Sequence, residues 1–310
     1  MTSLYERLSA LIRQEVDGNY VDEDIIPLVS PRAEQTGDIS VSQIVHKQLK
    51  DLPEAALTAA GFNPSEGTLF AEEYAHKVFT ASERIRMNER DWAFVEKHGI
   101  AGVGIGELGK KVGKAASKFF MIGQDGAGTA VEGNTNYLTH AGAGTLVSPS
   151  IITQATAGAW ATWSNQNTDI TRIVAQLEEN NYNLAATICL YPKAASSSMR
   201  RHGANTLEHS AIEHLIGMGI PCIAVPNAYL YTAAGATPVV GAFDLYLVDT
   251  SKLMTIYSRP QRTQVFTPHD EQRDTVIDCE VWFVPWFTPQ PFADGTIKKG
   301  VSRITAINGA

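Results

Sequence analysis

The feature that most restricts the fold is a pair of short apolar runs, LAATICLY (residues 184–191) and IPCIAV (residues 220–225). Both read as buried strands, bounded by polar segments. Helical patterns precede them. ITRIVAQLEEN follows Thr168 and Asp169, which predict an N-terminal cap for a helix running to about residue 180. Residues 209–218 predict another helix. Four more strands are expected at 239–248, 253–257, 276–286 and 300–307. In the third, Ile277, Cys279, Val281 and Phe283 alternate with Asp278, Glu280 and Trp282, so one face is buried and the other is not. No internal repeat recurs at a fixed period.

The first half is organised differently. Leu4, Leu8, Leu11 and Ile12 mark one face of a short amphipathic helix, and residues 17–38 read as an extended acidic arm. SVSQIVHKQLKDL (residues 40–52) predicts a helix, followed by a loop punctuated by Pro53, Gly61, Pro64 and Gly67. Residues 69–87 lean towards extended structure. Residues 89–122 are mostly helical: Leu108, Val112, Ala115, Ala116, Phe119 and Phe120 recur at three- and four-residue spacing. Residues 133–168 carry no acid or base except His140 and read as loops packed against neighbours.

Charge and cysteine content narrow the function classes. The formal net charge of -8 argues against a simple nucleic-acid reader, though not against a local basic face. Cys189, Cys222 and Cys279 are widely spaced and odd in number, which fits reduced, buried thiols. The charged N-terminus does not resemble a signal peptide, and no apolar run is long enough to predict a membrane span.

GVGIGELGKKVGK (residues 102–114) spells two phosphate-binding patterns, with Gly104, Gly106 and Gly109 for a dinucleotide and Gly104 to Lys110 for a phosphate loop. Such a loop must follow a buried strand and open a helix. Here Glu96, Lys97, His98 and Gly99 interrupt the preceding run, and Lys111 stands where a Ser or Thr should hold Mg²⁺. Asp249 and Asp125 are weak matches for the remaining acidic partners. The expectation is a glycine-loosened helix with a solvated row of Lys110, Lys114 and Lys118. Glu208, His209, Glu213 and His214 offer too few convergent ligands for zinc. Ser196, Ser197 and Ser198 lack a nucleophile elbow. No catalytic, cofactor or metal residue is predicted.

Taken together, several stretches resemble the major capsid proteins of tailed double-stranded-DNA viruses, whose fold encapsulin shells share. KAASKFFMIGQDGAGTAVEGNTNYL (residues 114–138) resembles the end of that family's spine helix and the turn after it. ITRIVAQLEENNYNLAATICLYPKAASSSMRR (170–201) and IEHLIGMGIPCIAVPNA (212–228) resemble its next segments. GAFDLYLVDTSKLMTIYSRPQ, DTVIDCEVWFVPWFTPQPFA and GVSRITAI resemble its closing strands. The match spans roughly residues 89–307 and is one of order and local shape.

The resemblance implies an α+β fold with an N-terminal arm (1–31), an extended loop (32–88), a peripheral domain with a long spine helix (89–125 and 239–310) and an α/β axial domain (126–238). It implies a non-enzymatic shell protein forming hexamers and pentamers of an icosahedral capsid around double-stranded DNA. The expected setting is the virion, assembled in the host cytoplasm, with portal, scaffold or decoration proteins as partners. Lys110, Lys111, Lys114 and Lys118 are then expected on the inner face, near packaged DNA, through non-specific contacts. The alternatives are an encapsulin-type compartment holding a cargo enzyme and a nucleotide-binding enzyme using Gly104 to Lys110. Lys47, Lys50 and Lys77 lie in the expected loop, but no isopeptide cross-link is predicted.

Overall fold

The computed structural model describes residues 4–35, 43–49, 71–98, 104–123, 148–152, 163–179, 183–202, 209–226, 242–266, 274–287, 290–291 and 297–308. The chain opens with α1 (Leu4–Glu23) and α2 (Ile26–Val29). There follow β1 (Ala33–Gln35), β2 (Gln43–Leu49), β3 (Ala71–Lys77), β4 (Phe79–Met87), α3 (Glu89–His98) and α4 (Gly106–Ile122). Next come β5 (Ser148–Ile152), α5 (Trp163–Glu179), β6 (Thr187–Pro192), α6 (Ser196–Met199), α7 (Ala211–Gly217) and β7 (Cys222–Val225). The chain closes with β8 (Ala242–Asp249), β9 (Leu253–Phe266), β10 (Thr275–Phe287), β11 (Gln290–Pro291) and β12 (Ile297–Asn308).

The described strands form three sheets, ordered β1-β9-β10-β4, β11-β12-β8-β6-β7 with β5 on β12, and β2-β3. In the first, β10 runs antiparallel to β9 and β4. Its expected alternation holds: Ile277, Cys279, Val281 and Phe283 are buried. The opposite face is polar and cross-linked. Arg84 Nη2 donates to Asp278 Oδ2 at 2.9 Å, Arg259 donates to Glu280, and the Arg259 guanidinium lies 4.6 Å from the Trp282 ring centre. On the edge strand β4, Phe79, Ala81, Ile85 and Met87 face inward, but Glu83 at the same phase is exposed. A charge at such a position discourages edge-to-edge pairing.

The second sheet is covered on both sides. Ile188 and Leu190 of β6, with Tyr246 and Val248 of β8, join a core with α1 and α4. Cys189 and Tyr191, with Leu245 and Leu247, face a second core against α5 and α7. Double cover is why these strands read as continuous apolar runs. The first core sets Phe79 tilted against Phe119 at 4.2 Å between ring centres and Phe283 edge-on to Phe119 at 5.7 Å.

Three expectations need correction. The acidic stretch read as an extended arm is helical over most of residues 17–29. Val16, Tyr20, Ile25, Ile26 and Val29 are buried, and tertiary packing of that face outweighs its weak helical composition. Residues 40–52 contain β2, not a helix: residues 43–49 pair antiparallel with β3, from Gln43 opposite Lys77 to Leu49 opposite Ala71. Its Ile44 and Val45 suit a strand once a distant partner supplies the ladder. Thr168 and Asp169 do not cap α5, which begins at Trp163 and buries Asp169 in its interior.

Residues 69–87 are extended where described, as expected. The helix at 209–218 appears as α7, with Ser210 and Glu213 closing a reciprocal capping box. The loop expected at 53–67 lies outside the described residues, as does most of the low-charge stretch, which β5 crosses.

Candidate functional site

The glycine stretch acquires its meaning from α1. A helix, α3, precedes it rather than a strand. Gly104 takes φ +67, and the Glu107 and Leu108 amides donate at 3.0 Å to the Gly104 and Ile105 carbonyls. These first-turn donors are therefore already engaged. Gly106, Gly109, Gly113 and Ser117 fall along one side of α4, against α1. A Cβ on Gly106 would lie 2.6 Å from Asn19 Nδ2, and one on Gly113 would lie 2.9 Å from the Tyr20 carbonyl oxygen. At Gly109 the same atom would sit 2.0 Å from the Val16 carbonyl oxygen. Ser117 Oγ donates to the Glu23 carbonyl at 3.0 Å and accepts from the Ile25 amide at 3.1 Å. Contacts advance in the same direction along both helices, so α1 and α4 run parallel. The glycines admit a helix backbone, and α1 occupies the space that a phosphate would need.

This small-residue seam was missed in the sequence, which was read as a loosened helix. Its signal is the spacing 106, 109, 113, 117, which keeps one helical face free of bulk. The apolar positions behave as expected: Leu108, Val112, Ala116, Phe119 and Phe120 are buried, while Ala115 is half-buried. Gly123 ends the helix in the left-handed conformation at φ 71, its amide donating to the Phe119 carbonyl.

The lysine row flanks this seam. Lys110 Nζ lies 3.0 Å from Glu107 Oε1, and Lys114 Nζ lies 3.8 Å from Glu23 Oε1 across the helix pair. Lys111 is exposed and Lys118 half-buried. The Glu107 carboxyl is held below its usual range by the Lys110 hydrogen bond and charge, with Lys114 and Lys111 adding to it. Part of the row's charge is thus neutralised within the chain.

Polar anchors tie α1 to the first sheet. Asp17 Oδ1 accepts from Gln261 Nε2 and from Thr263 Oγ1, both at 2.6 Å. Farther along, burial raises the Asp24 carboxyl, although hydrogen bonds from the Ile26 amide and Tyr20 oppose the shift. Burial and the nearby Asp24 charge push the Tyr20 phenol up as well. A carboxyl raised in the folded state favours folding while protonated. That contribution is present below the unfolded value and is lost as pH rises through the folded value. Asp24→Asn keeps an acceptor for Ile26 and removes the charge. The variant is expected to be more stable than the parent at pH 8 and to lose part of the decline in stability between pH 4 and pH 8, read by denaturant melts across that range.

The other constellations have structural explanations. Asp249 caps the turn after β8, accepting from Ser251 N at 2.9 Å and Asn183 N at 3.0 Å. Glu213 Oε2 accepts from the Ser210 amide at 2.8 Å, with His202 Nδ1 at 3.5 Å and His209 Nδ1 at 3.8 Å. Burial, then His209, lowers the pKa of His214. Glu208 and Asp125 lie outside the described residues, among which no three His, Cys, Asp or Glu side chains are arranged to hold a metal ion. No helix among them is long and apolar enough to cross a membrane.

No protein-family model and no curated protein matches the sequence. Solved structures match it across most of its length. One, from Mycobacterium phage Ogopogo, gives a TM-score of 0.60 at 11% identity, covering 91% of this chain and 91% of the other. A virus-like particle from Pyrococcus furiosus gives 0.54 at 8% identity, covering 94% and 98%. The capsid of Myoviridae phage XM1 gives 0.54 at 12% identity, covering 91% and 92%. At such identities the likeness is one of fold. The chain has an α+β, capsid-like fold that broadly resembles tailed-phage capsid proteins.

Proposed function

We propose that this chain is a structural shell subunit, self-assembling into the hexamers and pentamers of an icosahedral viral capsid around double-stranded DNA. The observation that carries the reading is the end-to-end fold likeness to a phage capsid, over 91% of this chain. The β2–β3 sheet supports it, because both strands pair only with each other among the described strands. An isolated two-stranded hairpin is marginal in water and needs a surface to lie on. Neighbouring copies supply one. Leu11, Val21, Leu28, Phe94 and Ile216 are each more than half exposed and offer apolar contact to such neighbours.

In this reading residues 1–31 are the arm region, 32–88 the extended loop, 89–125 and 239–310 the peripheral domain with α4 as its spine, and 126–238 the axial domain. The sheet shared by β6 and β8 joins the last two. The setting is the virion, after assembly in the host cytoplasm, with portal, scaffold or decoration proteins as further partners. Electron micrographs of purified protein, with nuclease digestion of the particles, test the reading. Closed shells protecting long DNA are expected, and a monodisperse small species defeats it.

Lys110, Lys111, Lys114 and Lys118 face the packaged DNA in this reading. Each phosphate neutralised contributes about 0.9 to the slope of log affinity against log salt. Because Glu107 and Glu23 already engage Lys110 and Lys114, replacing all four by Gln is expected to lower that slope by less than the roughly 3.6 of four full contacts. Titrating random-sequence duplex at several salt concentrations measures it. An unchanged slope removes the row from the DNA face.

A second reading, a compartment shell holding a cargo enzyme, is favoured by one observation: the N-terminal segment forms a compact helix docked on α4. A co-purifying enzyme in place of protected DNA would select it. The nucleotide-binding alternative loses its basis, since α1 fills the glycine face.

A further inference from the structure

β6 and β7 run parallel, and their register sets Cys189 directly opposite Cys222. Both thiols are free; Cys189 is fully buried and Cys222 partly exposed. Registered residues of a parallel pair project from the same face of the sheet. Adjacent strands lie about 4.8 Å apart, within the roughly 4.4–6.8 Å that a disulfide spans between Cα atoms. On this face Cys189 belongs to the core with Ile170, Leu177 and Leu215, and Cys222 packs against it. β7 is a four-residue strand that, among the described strands, pairs only with β6 and sits at the sheet's edge, where it can make the small shift that a bond requires.

We propose that Cys189 and Cys222 are a redox pair that closes to a disulfide across β6 and β7, with Cys222 reacting first and Cys189 resolving. The oxidant is a small-molecule disulfide, RSSR. The Cys222 thiolate attacks one of its sulfurs, forming Cys222–S–S–R and releasing RS⁻, which takes the proton that Cys222 lost. The Cys189 thiol, deprotonated in turn, attacks the Cys222 sulfur and expels the second RS⁻, which is likewise protonated. The protein loses two electrons and two protons, and RSSR takes them up to become two RSH. Accessibility fixes the order, and acidity agrees with it: burial pushes the Cys189 thiol up, while the hydrogen bond from Cys189 holds Cys222 below its ordinary value.

The bridge would close the segment that carries α6 and α7. In the shell reading it would form when a particle leaves a reducing cytosol. Only that timing rests on the proposed function; the chemistry does not.

The test uses the reduced full-length protein incubated with glutathione disulfide, then denatured, labelled with a maleimide and weighed intact. The wild type is expected to lose two of its three thiols and two hydrogens of mass, with Cys279 still labelled. Peptide mapping should link Cys189 to Cys222. Cys189→Ser should stop at a glutathione adduct on Cys222, and Cys222→Ser should not react at Cys189. Three labelled thiols in the wild type, or a wild type that stops at the adduct, would overturn the pair. An adduct on Cys189 in Cys222→Ser would overturn the order.

Discussion

Gly109→Val is expected to unseat α1 and to destabilise the fold by about 3 kcal/mol or more, at or above the upper end of ordinary overpacking. A Cβ at this position meets the Val16 carbonyl oxygen at 2.0 Å and the Tyr20 amide nitrogen at 2.9 Å. Both are backbone atoms in the middle of a helix, so no rotamer relieves the clash. α1 must lift, and Ile12, Val16 and Tyr20 lose cover worth about 1.5–3 kcal/mol for each fully buried apolar side chain. Even Gly109→Ala should destabilise, although Ala is about 1 kcal/mol the better helix former. The control is Gly18→Ala in α1, where nothing lies within 4 Å of the new atom. It should gain about 0.5–1 kcal/mol. Denaturant melts and proteolysis of the first 25 residues measure both. If Gly109→Ala stabilises as much as Gly18→Ala, the two helices do not meet as described.

Replacing residues 44–76 by two glycines is expected to leave the body folded and, on the proposed shell reading, to abolish assembly. Gln43 and Lys77 are register partners, so the cut ends start about 4.5–5.5 Å apart and a short link spans them. β4 resumes at Phe79, and its ladder with β10 is untouched. Because β2 and β3 share no sheet with the other described strands, melting should change by no more than about 0.5 kcal/mol, the range of surface changes. On the proposed shell reading, sedimentation and micrographs should find closed shells from the parent and only small species from the shortened chain. Shells of normal size from the shortened chain would sink the subunit-contact role given to this hairpin.

The legible parts of the fold were those whose pattern is local and whose cover is one-sided or complete. β10 announced itself by the alternation of Ile277, Cys279, Val281 and Phe283 with polar neighbours, and β6 by an apolar run too short for a helix. α7 was legible over residues 209–218 without the start signal also present in the sequence, the capping box of Ser210 and Glu213. The failures share a cause: each needed a partner far away in sequence. β2 carries Ile44, Val45 and Leu49 at spacing a helix also permits, and only β3 decides between the two. Residues 17–23 are acidic and include Gly18 and Asn19, yet Val16 and Tyr20 bind them to α4. The seam of Gly106, Gly109 and Gly113 was visible, but a run of glycines does not say whether it admits a phosphate or another helix. Asp169 looked like a cap because polar residues before an apolar run usually are, and its burial inside α5 has no local signal.

The Asp17 anchor has a consequence for biosynthesis. Its carboxylate receives Gln261 and Thr263, partners 244 and 246 residues downstream. Asp17 must therefore wait, without these two partners, until the chain has been made through Thr263. Contacts so distant slow folding. A chain cut short before Gln261 lacks this fastening to the first sheet, and its α1 is held only by the seam on α4.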